Sequence, residues 1–505
     1  MSAETAIAKK ILQPIDRVAL GVMLVLSLLI GILLLSGDRT APRVRDFSWQ
    51  DKQVGAEDTA FILTFSRPMN HASVEANLQI NPPIPGKVSW AGRRMAYTPL
   101  FPLPYGTNYQ VQLKGAKDQL SGDKGKGTLV DPFTASFRTR DRAFAYVGVE
   151  GEEQGRLILY NLTAQKKTVL TPPDLVVMDF KPYPDGERIL FSASDRKSQE
   201  QGLLTQQLYT VTTGLSFQSP NKAKASPETE GRINLVLDSK DYQNLKFDLS
   251  ADGKTIVVQR LNRRNPAEFG VWILQPDAKP RPLGNQPGGD FLITADSTSL
   301  AIAQGQGVAI LPLTPAAKPL DFLPKFGMVL SFARDNSAAA MVKFNTDPIN
   351  PTRSLFLVTN QGTQRELLRT PGSILSCEFA PKKDTLYCLL TQLIKGEEYQ
   401  EDPFLAAIDL NSTNGQTELK WKVDLNAPNL RDIQMSLSPD GLGLLFDQLV
   451  TKPPSAADNL RTNEGEAIAT GLLWLLPLVE VTSSGTPAQL QPEQLLPGFH
   501  PRWLP

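Results

Sequence analysis

The chain has 505 residues, with Lys+Arg and Asp+Glu balanced at 52 each, so it needs more than one core and offers no basic surplus for nucleic acid. Its 40 prolines and 36 glycines suit a turn-rich β protein. Two cysteines and two histidines exclude a disulfide-dense scaffold, a four-cysteine zinc site and any site built on three histidines.

After an N-terminal segment, residues 1–17, the run Val18–Ser36 (VALGVMLVLSLLIGILLLS) contains no charge. As a helix rising about 1.5 Å per residue it has the length of a hydrocarbon core, which predicts a transmembrane helix over 18–36. The run exceeds a signal-peptide core, and Gly37-Asp38-Arg39 lacks a small-residue cleavage pattern. Lys9, Lys10 and Arg17 before it balance Arg39, Arg43 and Arg45 after it, so flanking charge sets no orientation. The expectation is a single-pass membrane protein whose C-terminal domains lie outside the cytoplasm, in a periplasm or equivalent lumen. That preference comes from the domains themselves; the cytoplasmic orientation is the alternative.

Residues 42–140 alternate at strand length between Pro, Gly and Asn. Phe61–Phe65 and Tyr109–Leu113 are the clearest strands. Thr64-Phe65-Ser66-Arg67-Pro68-Met69, Gly86-Lys87-Val88, Tyr97-Thr98-Pro99, Leu103, Gly106-Thr107-Asn108-Tyr109 and Phe137-Arg138-Thr139 follow in order. In that order and spacing the segment resembles bacterial Ig-like domains of the surface-layer type. The resemblance implies a β-sandwich that serves as a spacer or adhesive module and brings no catalytic residues. His71 is placed in a strand-to-loop turn after Met69-Asn70, with a surface or packing role. Gly122–Thr128 has the glycines and lysine of a phosphate loop at the wrong spacing, and is taken as a flexible hairpin loop.

From 141 to 505 one phrase recurs: an apolar residue, a small polar one, a turn, then an apolar run. Its copies begin at Pro182, Leu249, Ile293, Phe332, Phe379 and Leu437, and carry Asp185, Asp252, Asp296, Asp335, Lys382 and Asp440 at one aligned place. The spacing of these copies brackets the 40–50 residues of a propeller blade. Physically each copy is a hairpin, because Pro presets φ and Asp and Gly accept turn conformations. Between copies come strands such as Gln207–Val211, Val271–Leu274, Val308–Leu311, Leu355–Val358, Phe404–Ile408 and Leu472–Leu476. The region resembles a WD40-like β-propeller related to the TolB propeller. Ala143–Val149 and Arg156–Tyr160 precede the first copy and need an inner partner. Phe499–Trp503 is expected to supply it and close the ring. That makes seven blades, with six the alternative if 176–245 is irregular. The polar stretch 216–231 is expected as a surface loop, and 451–466 as an exposed insertion that offers a partner site.

The fold class expected is therefore all-β with one N-terminal transmembrane helix, a β-sandwich and a β-propeller. The repeated carboxylates sit on different blades, whereas a calcium loop clusters its ligands within about a dozen residues, so they are read as turn formers. No nucleophile elbow or Walker motif occurs, and no catalytic, cofactor-binding or metal residue is assigned. His500, on the closing strand, is given a surface or packing role. Cys377 and Cys388 flank Lys382-Lys383 with equal counts on each side, which makes them a candidate disulfide; two reduced core thiols are the alternative. The expected function is a non-enzymatic, membrane-anchored scaffold whose propeller binds protein partners of a membrane or envelope assembly. A propeller holding a cell-wall glycan or small ligand is the alternative, and a channel-metal hydrolase or lactonase the more distant one.

Overall fold

The computed structural model describes residues 14–36, 40–119, 127–197, 205–215, 228–276, 278–284, 288–314, 320–347, 351–394, 400–412, 419–425, 432–455, 458, 460–462, 465–478 and 490–505, without the side chains of 14, 16–17 and 33–36. Residues 1–13, 120–126 of the glycine-lysine loop and 216–227 of the polar stretch lie outside them.

The membrane expectation is corrected. A helix runs Pro14–Ser36, but among the described residues no helix is long and apolar enough to cross a membrane. Among the described residues the chain is all-β with two α-helices. Neither the transmembrane helix nor the single-pass membrane placement built on it holds.

The sandwich has two four-stranded sheets. One orders Val44–Phe47, Phe61–Phe65, Arg94–Pro99 and Gly86–Ala91; the other orders Gln53–Val54, Phe133–Thr139, Asn108–Leu113 and Leu78–Asn81. Alternation places Phe61, Leu63 and Phe65 on the inner face, all fully buried. Trp49 meets Phe61 and Phe137 edge-on, with ring centroids 5.4 and 5.0 Å apart, the arrangement that aromatic quadrupoles prefer. His71 does not sit in a turn. It begins the helix His71–Asn77, where the Asn70 side chain accepts the Ser73 N–H at 2.9 Å, the capping that orphan N–H groups require. Its ring stacks on Trp90 at 4.1 Å.

Seven further four-stranded antiparallel sheets follow in chain order. The second to seventh each run from an innermost to an outermost strand without crossover. The first is composite: Ala143–Val147, Leu157–Asn161 and Lys166–Val169 are completed on the inside by Phe499–Trp503, paired through Trp503 and Phe144. The innermost strands touch their neighbours around the ring, and an ion pair between Lys181 and Asp248 joins the second blade to the third. Second strands are apolar on both faces; Leu190 and Phe191 are both fully buried. A solvent-facing sheet would alternate, so both faces of these strands carry neighbouring blades.

One insertion departs from expectation. Strands Gly443–Lys452 and Ala467–Pro477 pair out to Lys452 and Ala467, and Leu460 between them is buried with Val176, Leu449 and Leu504. Where described, 451–466 folds back onto the ring and is not wholly exposed.

Candidate functional site

The repeated phrase is the local unit of the site. Its residue after the aligned Asp or Lys takes positive φ in all six copies: Gly186, Gly253, Ser297, Asn336, Lys383 and Gly441, between 56° and 72°. The aligned carboxylate holds the turn with one oxygen. Asp296 Oδ1 accepts the Thr294 hydroxyl at 2.6 Å and the Thr298 N–H at 3.0 Å, and Asp335 Oδ1 accepts the Ser337 N–H at 3.1 Å. The second oxygen can reach the next blade: Asp296 Oδ2 accepts from Asn336 at 2.8 Å, and Asp335 Oδ2 accepts from Lys383 at 2.5 Å. The turns of adjacent blades are therefore clasped to one another. Among the described residues, no cluster of three or more His, Cys, Asp or Glu side chains is arranged to hold a metal ion.

Two places on each innermost strand, four and six residues before the aligned position, form the inner wall. Six before it stand Asp179, Lys246, Asp290, Val329, Ser376 and Gln434; four before it stand Lys181, Asp248, Leu292, Ser331, Glu378 and Ser436. His500 and Arg502 hold the corresponding places on the closing strand. His500 Nε2 lies 3.2 Å from Asp179 Oδ1, with Arg502 3.5 Å from the same oxygen. Lys246 pairs with Asp290 at 2.6 Å. Burial opposes charge on Asp179, but the hydrogen bond and charge of His500, with Arg502 and Lys181, hold its carboxyl well below the usual range. Burial lowers His500 despite that partner.

The four-before side chain has a second task. Asp248 Oδ2 accepts the Ile293 N–H at 2.7 Å, Glu378 accepts the Leu437 N–H at 3.2 Å, and Ser436 Oγ accepts the Trp503 N–H at 3.2 Å. Each acceptor satisfies the unpaired edge of the next innermost strand. Asp447, fully buried on the second strand of the seventh blade, accepts the Gln434 N–H at 2.7 Å and the His500 N–H at 2.6 Å. It ties the seventh blade to the closing strand. Burial pushes both Glu378 and Asp447 up to about 7.

The charges of the inner wall are thus engaged with one another and with strand edges. His500 has an oriented carboxylate in Asp179, and among the described residues no hydroxyl or thiol is hydrogen-bonded to its ring. The sequence reading did not find Asp179, Asp248, Glu378, Asp447 or Arg502. The available signal was charge recurring four and six places before the turn, on strands otherwise apolar. His500 and His71 do not meet; one is on the ring's inner wall and the other in the sandwich. Cys377 and Cys388 face each other in register on the first two strands of the sixth blade, Cα atoms 4.1 Å apart, with their sulfurs bonded.

The two faces of the ring differ. On the face of the repeated turns sits the sandwich: the Tyr105 N–H donates to Asp440 Oδ2 at 3.1 Å, Arg142 pairs with the same oxygen at 2.8 Å, and Lys382 lies 3.2 Å above the Phe101 ring. The opposite face carries the hairpins joining second and third strands. Near the tips on the fifth to seventh blades, Phe344, Leu393, Ile394 and Val450 are exposed.

Residues 38–139 match the family model of a bacterial Ig-like domain. Comparison with curated proteins finds no match. Solved structures that are similar include TolB from Acinetobacter baumannii, 11% identical, with 68% of this chain and 82% of that chain covered and a TM-score of 0.35. An oligogalacturonate lyase from Vibrio parahaemolyticus is 11% identical, with 58% and 80% covered and a TM-score of 0.40. Prolyl oligopeptidase B from Galerina marginata is 11% identical, with 71% and 52% covered and a TM-score of 0.43. The propeller assignment rests on strand order within this chain.

Proposed function

We propose that this chain is a non-enzymatic scaffold that binds a protein partner through the propeller face turned away from the Ig-like sandwich. The observation that carries the reading is the contrast between the two faces. One is covered by the chain's own sandwich through Asp440, Arg142 and Lys382. The other presents Phe344, Leu393, Ile394 and Val450 on projecting hairpins, with Val450 57% exposed. Exposed apolar side chains on the hairpins of three successive blades offer anchors for a protein partner. The inner wall supports the same reading, because its charges are engaged with one another and with strand edges. The Ig-like match is to a bacterial family, and the partner is accordingly sought within a bacterial envelope assembly.

The test is cross-linked affinity capture with the full chain and with a Phe344→Ser, Ile394→Ser, Val450→Ser variant. The captured partner should cross-link to these hairpins, and the variant should lose at least about tenfold of the capture, as loss of interface anchors does. Equal capture by both chains, or cross-links confined to the sandwich, would overturn the reading.

A further inference from the structure

A groove of about 540 Å³ opens on the same face, at the joint between the first and seventh blades. Its rim is the loop between Ala143–Val147 and Leu157–Asn161, where a short 3₁₀ turn runs Gly151–Glu153. Leu496 and Pro497, at the end of the seventh blade's outer strand, form an apolar wall. Within the groove the charges are unevenly engaged. Glu153 is held by Lys167 at 2.5 Å, and Arg156 Nε donates to the Thr171 carbonyl at 2.7 Å. Glu150 and Glu152 are exposed and form no ion pair among the described residues.

A second observation comes from Tyr146. The side chain lines the groove and is otherwise enclosed, at 1% exposure. Its hydroxyl has no hydrogen-bond partner among the described residues. Burial, with the charge of Glu153 behind it, pushes the phenol up, so it stays a neutral donor and acceptor. A hydroxyl on a nearly enclosed side chain with no protein partner is free to bond a ligand group that reaches it from the groove.

We propose that this groove receives one arginine side chain of the protein partner. Its methylenes would lie on Leu496, Pro497 and the Tyr146 ring, and its guanidinium would donate to Glu150, Glu152 and the Tyr146 oxygen. Arginine fits because its planar cation offers five donors in a fixed fork, enough for two carboxylates and a phenol at once. The inference rests on the reading of this face as the docking surface, and it names what the partner must present there.

The full chain is titrated with the peptide acetyl-Gly-Arg-Gly-amide, followed by saturation-transfer NMR, with the citrulline peptide as an uncharged isostere. Wild type should show transfer to the arginine methylenes, weakened at least about fivefold by Glu150→Gln with Glu152→Gln and about two- to threefold by Tyr146→Phe. The citrulline peptide should give at least about tenfold less. Equal transfer to both peptides, no transfer to either, or transfer unchanged in the double glutamine variant would overturn the proposal. The Phe344→Ser, Ile394→Ser, Val450→Ser variant should bind the arginine peptide as wild type does. Failure of the groove and failure of the apolar hairpins are therefore read separately.

Discussion

Glu378 is a carboxyl with one backbone donor and no ion pair among the described residues. It accepts the Leu437 N–H, and burial raises it to about 7 while Arg502 and Arg334 pull the other way. A carboxyl raised on folding keeps its proton between its unfolded and folded values, where the unfolded chain has lost it. Its contribution is therefore fully favourable below about 4.5, declines as pH rises towards 7, and levels off above that. Glutamine keeps the acceptor and cannot titrate. Urea unfolding of wild type and Glu378→Gln should converge near pH 4.5, with the variant gaining on the order of 2 kcal/mol relative to wild type by pH 8. Parallel pH profiles would contradict this. Asp179 has the opposite sign: its depressed carboxyl stabilises above the ordinary carboxylate range and loses that contribution in acid. Two carboxylates on one wall thus oppose each other across pH, because the cations around Asp179 outweigh its burial, whereas burial outweighs the N–H donor and the arginines at Glu378.

The repeated hairpin gives six copies one conformation and two uses. Asp185 acts within its own blade, accepting from Glu187 N–H at 3.0 Å and Arg188 at 3.2 Å. Asp440 has the same place in its turn, yet its second oxygen takes both Arg142 and the Tyr105 N–H of the sandwich. Lys382 replaces Asp in the neighbouring copy and meets Phe101, a cation over an aromatic face. Substituting Ala for Asp440 should cost about 2–4 kcal/mol, since it leaves a partly buried cation and a buried N–H unpaired. The same change at the half-exposed Asp185 should cost about 1 kcal/mol or less. Chemical unfolding measures both, and limited proteolysis should cut Asp440→Ala first between 139 and 143, where the sandwich joins the ring. Equal costs at the two positions would mean the clasp to the sandwich contributes nothing. Turn chemistry made all six copies legible in sequence, because Pro and the positive-φ residue act within a few bonds. Their unequal roles were not legible, because the second carboxylate oxygen is satisfied by residues from another domain or blade.

At the scale of the whole molecule, the ring holds because its last strand completes its first blade. Asp447 fastens that closure through the His500 and Gln434 N–H groups. Alanine at 447 should destabilise the chain by about 3 kcal/mol, the loss of two buried hydrogen bonds to a carboxyl. Hydrogen exchange should rise first at 143–147 and 499–503, and unchanged protection there would show that Asp447 does not hold the closure. The residues alone determined where the chain turns, which strands alternate, the Ig-like segment and the recurrence of hairpins, because dihedral preference and apolar period are written in consecutive positions. They misled at 18–36, where a charge-free run suggested a membrane span that no described helix is long and apolar enough to make. Only the tertiary structure decided that His500 meets Asp179, that Leu460 packs under the ring, and that one face is covered while the other is not. Those outcomes depend on residues from opposite ends of the chain becoming neighbours when the ring closes, and no local preference encodes that distance.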